Sequence, residues 1–262
     1  MLKLLSTDFD GTLIGFSPEE ASCVPSLALE LEKMCHEGGF WAINTGRPFE
    51  VLLEGLDLLE APIKPHYVIT SERYIHYPHA DGSWRAFEDW NERCLVMHQE
   101  LFKQCGSFFE KLNALTEEYE GEVTVFKNCD GVPDELIASS EELLDEIELR
   151  LQGLQHHSEE VVFQRSHMHL RFCHHFYNKG SVLSELSRFL AISSDHILAI
   201  GDHHNDIAML DLKIASMLAC PANAHARVKE TVSRARGHIS QYIAGEGTAE
   251  AIRKYRQGTG NR

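Results

Sequence analysis

The chain has 262 residues, enough for one large domain or two modest ones with a real core. Its 43% hydrophobic and 24% charged residues are ordinary for a globular protein in water. A formal net charge of −16 argues against nucleic acid or an anionic membrane surface as partner, because phosphate backbones are gripped by clustered Lys and Arg. An anionic substrate would need local positive charge or a metal to receive it. Seven cysteines (Cys23, Cys35, Cys94, Cys105, Cys129, Cys173 and Cys220) are widely spread, with no CxxC pair to suggest a zinc ribbon or a thioredoxin-like site. The opening residues hold too few apolar positions for a signal peptide, so reduced thiols in a cytoplasm are the simplest expectation. No apolar run approaches the ~20 residues a membrane span needs.

Leu4-Leu5-Ser6-Thr7 reads as a buried strand that stops at Asp8, with Phe9, Asp10, Gly11 and Thr12 following. Pro18 to Gly38 reads as a helix, with Leu27, Leu31 and Met34 as its apolar stripe and Gly38-Gly39 at its end. Phe40 to Asn44 is a second short apolar strand ending at Thr45-Gly46-Arg47-Pro48, and Phe49 to Leu59 a second helix. Tyr67 to Thr70 is a third strand, with Tyr74 to Tyr77 pairing beside it as a hairpin. The alternation predicts a parallel α/β sheet.

The pattern changes near Asp81-Gly82. Phe87 to Tyr119 is mostly helix-like, interrupted at Gly106. Glu122 to Lys127 alternates as a strand, and Gly131-Val132-Pro133 reads as a turn. Ser139 to Glu142 opens another helix, and Val161 to Arg171 alternates as one strand. Residues 81–173 therefore read as an α+β insert with antiparallel strands, leaving 1–80 and 174–262 as the core. The insert is rich in histidine (His156, His157, His167, His169, His174, His175); as strand neighbours two apart, His167 and His169 would share a face. They read as a polar sheet face more readily than as a metal site, because no Cys or acid has ligand spacing. The core pattern returns after Asn178-Lys179-Gly180: a helix over Ser181 to Leu190, then a strand over Ile197 to Ile200 running into Gly201-Asp202-His203-His204-Asn205-Asp206. Lys213 to Leu218 and His238 to Ser240 read as short edge strands, and Ala224 to Ala235 and Thr248 to Tyr255 as helices.

Three apolar strands thus end in polar clusters: Asp8/Asp10, Thr45/Gly46 and Asp202/Asn205/Asp206. In a parallel sheet such ends share one edge, where ligands bind. Asp8 and Asp10 can still be mere turn formers, Thr45 a residue near a helix N-cap, and Lys179 a solvated surface group. The chemical reading brings Asp8, Asp10 and Asp202 around one point, which requires a cation; Mg²⁺ is the expected one, being hard and oxygen-liganded. Thr45 and the Gly46 amide would bond a phosphate at a helix N-terminus, and Lys179 would neutralise Asp8 and grip the phosphate.

Four clusters together, Asp8-Phe9-Asp10-Gly11-Thr12, Thr45-Gly46-Arg47-Pro48, Asn178-Lys179-Gly180 and Gly201-Asp202-xx-Asn205-Asp206-xx-Met209-Leu210, with Pro221-Ala222-Asn223-Ala224 after them, resemble the haloacid dehalogenase-like phosphatases of the Cof-type, sugar-phosphatase-like group. The resemblance implies a Rossmann-like parallel sheet with helices on both faces and a C2-type cap domain that closes over the core. It implies Mg²⁺-dependent hydrolysis of a small phosphorylated metabolite, a sugar phosphate first, through an aspartyl-phosphate. Asp8 is then the nucleophile and Asp10 the general acid and base. The metal sits on Asp8, Asp202 and the Asp10 carbonyl, and Lys179 and Thr45 hold the phosphoryl group. Asn205 orients Lys179 or the phosphate, Asp206 supports the metal site or adds a further metal contact, and Arg47 reaches the substrate or forms a salt bridge. A phosphotransferase or mutase, and a non-catalytic module that binds a phosphorylated ligand, are the alternatives. Two departures stand out: His203-His204 where small residues are expected, and Ser71-Glu72-Arg73 where an Asn-Gly-Ala-like turn is expected. Oligomeric state is not readable from the chain.

Overall fold

A computed structural model describes residues 1–17, 22–128, 131–154 and 161–258. Pro18, Cys129, His156, His157 and the tail beyond residue 258 lie outside them. The strands and helices, in chain order, are β1 (Leu4–Thr7), α1 (Pro25–His36), β2 (Phe40–Asn44), α2 (Phe49–Leu59), β3 (Tyr67–Thr70), β4 (Tyr74–Pro78) and β5 (Trp84–Ala86). Then come α3 (Glu88–Gln104), α4 (Gly106–Glu117), β6 (Val123–Lys127), β7 (Pro133–Ala138), α5 (Glu141–Leu154), β8 (Val161–Ser166) and β9 (His169–His174). The chain finishes with α6 (Lys179–Phe189), β10 (Ile197–Ile200), a 3₁₀ turn at His204–Ala208, β11 (Met217–Cys220), α7 (Ala226–Arg234), β12 (His238–Ile239) and α8 (Ala244–Gly258). Two compact units result, Met1–Asn91 with Lys179–Arg262, and Glu92–Asn178.

The first unit is built on an eight-stranded sheet of order β12-β11-β10-β1-β2-β3-β4-β5. The six strands from β12 to β3 are parallel, and β4 and β5 run antiparallel at one edge. β1 lies between β10 and β2, in register Leu4↔Ile197 and Leu4↔Phe40. All four of its residues are buried, which is why it reads as an apolar run and not as an alternation. Leu5, Phe9, Leu27, Leu31, Trp41, Leu52, Leu198 and Ile252 belong to one apolar cluster under this sheet.

The second unit has its own antiparallel sheet, order β6-β7-β9-β8, and its own core, which includes Leu112, Leu136, Ile147, Leu151 and Phe172. The buried residues of α4 and α5 all lie in this cluster.

Four sequence expectations are corrected. Helix α1 starts at Pro25, not Pro18: Val24 is extended, as a residue before proline prefers, and Pro25 opens the helix where its missing N–H costs nothing. Pro133 opens a strand, β7, instead of closing a turn, because its side next to β6 needs no donor from it. The run from Val161 to Arg171 is not one strand but the hairpin β8–β9. His167 turns the chain at φ +50 between them, so His167 and His169 do not sit two apart on one strand face. Met217–Cys220 is an interior strand between β10 and β12, which is why all four of its residues are buried; of the two strands expected at an edge, β12 alone is there.

Leu5 has no exposed surface at the centre of the sheet. Leu5→Ala is expected to lower unfolding stability by about 2–5 kcal/mol, read as a lower denaturant midpoint with an unchanged m-value.

Candidate active site

The chain stays beside β10 for one residue after β1: the Asp8 amide donates to the Ile200 carbonyl at 3.0 Å. It then turns. The Phe9 amide donates back to Asp8 Oδ1 at 2.7 Å, and Gly11 takes a left-handed φ of +72°. A Cβ at Gly11 would collide with the Asp202 carboxylate, so the glycine is what lets the turn after β1 lie against the turn after β10.

Lys179 is the first residue of α6, and its side chain is wholly buried. Its Nζ donates to Asp8 Oδ1 at 2.9 Å and to Asp206 Oδ1 at 2.7 Å. Burial works against the ammonium charge, yet the Asp206, Asp8 and Glu72 carboxylates raise its pKa above the ordinary lysine value. Asp206, also wholly buried, accepts the Asp202 amide at 2.9 Å and the His203 amide at 2.8 Å on its other oxygen. Asp206 thus accepts from Lys179 and from two backbone amides of this chain. Gly180 lets α6 pack on the 3₁₀ turn, since a Cβ there would strike the Ala208 carbonyl.

Asp202 receives the Thr12 hydroxyl on Oδ1 at 3.0 Å. Its pKa is pushed up to about 7 by burial, then by the nearby Asp206 charge. Burial, then Asp206, also raises the Asp8 pKa, with Lys179 opposing. One carboxylate oxygen each of Asp8, Asp202 and Asp206 lies within 4.8 Å of the others. Such a set of hard oxygens fits a divalent cation. Asp8 and Asp202 are the two suited to hold it, because Oδ2 of each has no hydrogen bond among the described residues, whereas Asp206 is occupied by Lys179 and two amides.

Asp10 is placed differently from Asp8. Its two oxygens accept from Arg47 Nε at 2.8 Å and Nη2 at 2.6 Å. Arg47 stacks over the Phe9 ring at 4.6 Å, in space that Gly55 leaves open. Thr45 is buried, and its hydroxyl accepts the Arg47 amide at 3.1 Å. The residue that caps α2 is Pro48, without a side-chain bond, so Thr45 is not spent on capping.

Asn205 donates from Nδ2 to Glu72 Oε1 at 3.0 Å, and its Oδ1 is buried without a hydrogen-bond partner. Glu72 escapes sequence reasoning as a site residue, since a charged residue in a turn carries no signal of burial; only its departure from the expected Asn-Gly-Ala turn flags it. Asn44 is a second omission: at the end of an apolar strand, it donates to the Lys179 carbonyl at 2.9 Å. The two departures at His203 and His204 join a third histidine, with ring centroids of His204 and His225 4.0 Å apart and of His203 and His225 5.6 Å apart. In the second unit, His169 faces Glu135 at 3.0 Å, and the His174 and His175 rings stack at 4.5 Å.

A family model for haloacid dehalogenase-like hydrolases matches residues 91–252. The chain belongs to this family. Among curated proteins, this hydrolase is similar to phosphoglycolate phosphatases of Methanothermobacter thermautotrophicus, 32% identical over 78 residues, and of Methanoculleus marisnigri, 37% identical over 78 residues. These matches cover 30% of this chain in each case and 33% and 31% of the relatives, so they span about a third of the relatives' length. Among solved structures, the sucrose-phosphatase of Synechocystis, determined with sucrose and phosphate, superposes with a TM-score of 0.68 at 18% identity, covering 98% of this chain and 99% of that one. A haloacid dehalogenase-like hydrolase from B. subtilis gives 0.64 at 17%, covering 96% and 99%. At these identities the structural likeness speaks for the fold. No helix among the described residues is long and apolar enough to cross a membrane.

The raised Asp202 pKa has a signed consequence. The folded state keeps a proton that the unfolded state releases between about pH 4 and pH 7, so this group's contribution to metal-free stability is lost as pH rises through that window. In EDTA, Asp202→Asn is expected to raise the melting temperature at pH 8 and to leave it nearly unchanged at pH 4, as read by scanning calorimetry. A variant that melts lower than wild type at pH 8 would overturn the assignment of Asp202 as an uncompensated buried acid.

Proposed function

We propose that this hydrolase is a Mg²⁺-dependent phosphatase for a small phosphorylated metabolite, in the first place a sugar phosphate, and that it works through an aspartyl-phosphate on Asp8. The observation that carries the reading is the buried arrangement at the end of β1. Asp8 shares Lys179 with Asp206 and has Asp202 within metal-ligating distance. The names of the similar proteins, sucrose-phosphatase and phosphoglycolate phosphatase, support a small phosphomonoester as substrate.

In this reading Lys179 opposes protonation of Asp8 and holds it in one orientation through Oδ1, and the ionised carboxylate attacks phosphorus. A carboxylate oxygen of Asp8 forms the new P–O bond as the ester P–O bond breaks, and Asp10 gives a proton to the departing oxygen. Asp10 then removes a proton from water, the water attacks the same phosphorus, and the acyl phosphate breaks to return Asp8 and free phosphate. Arg47 holds both Asp10 oxygens, so donation of a proton to the leaving oxygen requires Asp10 to release one of those bonds. Lys179 and Thr45 supply donors for charge on the transferring phosphoryl group, and the Gly46 amide adds another. Asp8 and Asp202, with the Asp10 backbone carbonyl, would hold Mg²⁺, whose charge would offset that of the phosphoryl oxygens. Asp206 serves by fixing Lys179 and the backbone of residues 202–203. The inserted unit takes the role of cap.

The test is phosphate release from a panel of sugar phosphates, phosphoglycolate, nucleotides and an aryl phosphate. Release is expected with Mg²⁺, to vanish in EDTA, and to return when Mg²⁺ is restored. Asp8→Asn is expected to lower kcat by about 10³-fold or more while the circular dichroism spectrum stays that of wild type. Turnover of Asp8→Asn within a few-fold of wild type would remove Asp8 as nucleophile. Phosphate appearing on a second sugar, and not free in solution, would make the protein a phosphotransferase.

A further inference from the structure

Glu72 lies in the turn between β3 and β4 and has no exposed surface. A wholly buried glutamate is rare unless something pairs with it. It is also held in an unfavourable backbone state: Ser71 and Glu72 both have left-handed φ, +47° and +63°. Backbone bonds clamp the turn there. The Ser71 amide donates to the Arg47 carbonyl at 2.9 Å, and the Glu72 amide to the Thr45 carbonyl at 2.9 Å. The turn after β3 is thus tied to the Thr45–Arg47 turn after β2, and the Glu72 carboxylate comes to Asn205. A glycine or asparagine would satisfy such a backbone with less strain, so the backbone alone gives no reason for a glutamate.

The carboxylate has one clear effect. It can only accept hydrogen bonds when ionised, so the Asn205 group facing Oε1 at 3.0 Å must be the donor, Nδ2. This settles the amide orientation, and it leaves Oδ1 as the buried end without a partner. Asn205 precedes Asp206 on the 3₁₀ turn, and Asp206 holds Lys179. Glu72 also favours the Lys179 charge, after Asp206 and Asp8.

We propose that Glu72 is a positioning residue of the phosphatase site: its buried carboxylate locks the Asn205 amide in a single orientation, with Oδ1 reserved as an acceptor. A phosphoryl dianion carries no proton to give, so this acceptor serves a ligand that donates, such as a water at the site or the substrate's own hydroxyl. The inference rests on the proposed phosphatase reading for its kinetic consequence, but the orientation of the amide can be read without it.

The experiment compares wild type, Glu72→Gln and Glu72→Ala. Each protein is assayed for phosphate release from p-nitrophenyl phosphate with Mg²⁺. Each is also examined by NMR for the Asn205 side-chain amide resonances, assigned by their loss in Asn205→Ser. In the wild type one sharp, exchange-protected amide pair is expected. Glu72→Ala is expected to abolish that protection and to lower kcat at least tenfold, with KM changed by less than threefold. Glu72→Gln keeps an acceptor at the same place, so it is expected to recover at least half of the lost kcat on a logarithmic scale and to restore the protected pair. If Glu72→Ala proves unfolded, the wild type and Glu72→Gln decide by their amide resonances. A wild-type amide pair that exchanges freely, or a folded Glu72→Ala with both kcat and amide protection unchanged, overturns the proposal. A wild type that releases no phosphate from any ester sinks the phosphatase reading instead, and the amide resonances then decide the role of Glu72 by themselves.

Discussion

A lysine with no exposed surface organises the first unit. Burying an ammonium costs several kcal/mol unless close, well-aligned anions compensate, and Lys179 has Asp8 at 2.9 Å and Asp206 at 2.7 Å. These partners come from the ends of different strands: Asp8 follows β1, Asp206 follows β10, and Lys179 opens α6 after a long insertion. None is stable there alone. Three neighbouring carboxylates would repel one another without the lysine, and the lysine would be unpaired without them. The glycines next to these residues serve the same end. Gly11 and Gly180 allow backbone and side chains to approach where a single methyl group would collide.

The same loop makes two unlike acids from Asp8 and Asp10. Asp8 is buried against Lys179 and other carboxylates, and its pKa is raised. Asp10 is turned to a part-exposed arginine that engages both its oxygens. Two carboxylates two positions apart in sequence thus meet different surroundings, as the proposed division of nucleophile from proton carrier requires. The division depends on the chain leaving the strand right after Asp8; in a continuing strand residues 8 and 10 would have shared one face and met like surroundings.

The inserted unit follows a different construction rule. Its four strands are antiparallel and cover one face with helices, so they alternate weakly and its boundaries are set by short turns. The β8–β9 hairpin has no glycine at its turning point, where His167 takes the left-handed conformation instead, whereas Gly131 at φ +76° turns the chain into β7. The parallel strands of the first unit are buried on both faces and announce themselves as short apolar runs.

What the sequence determined by itself was the type of core and the residues that end its strands. The runs Leu4–Thr7, Phe40–Asn44 and Ile197–Ile200 are apolar because a parallel sheet buries both faces, and the abrupt change to Asp, Thr and Gly marks the edge where polar groups gather. Residue types and their order were enough to bring Asp8, Lys179, Asp202 and Asp206 under suspicion together. Only the tertiary structure decided which of them touch. It gave Asp206 to Lys179 and two backbone amides, turned Asp10 to Arg47, and drew Glu72 from a surface-like turn into contact with Asn205. The reason is physical: strand and helix periods are local properties of the chain. The partner of a buried charge is set by which distant segment supplies the opposite charge or donor, and by side-chain rotation within a few ångströms.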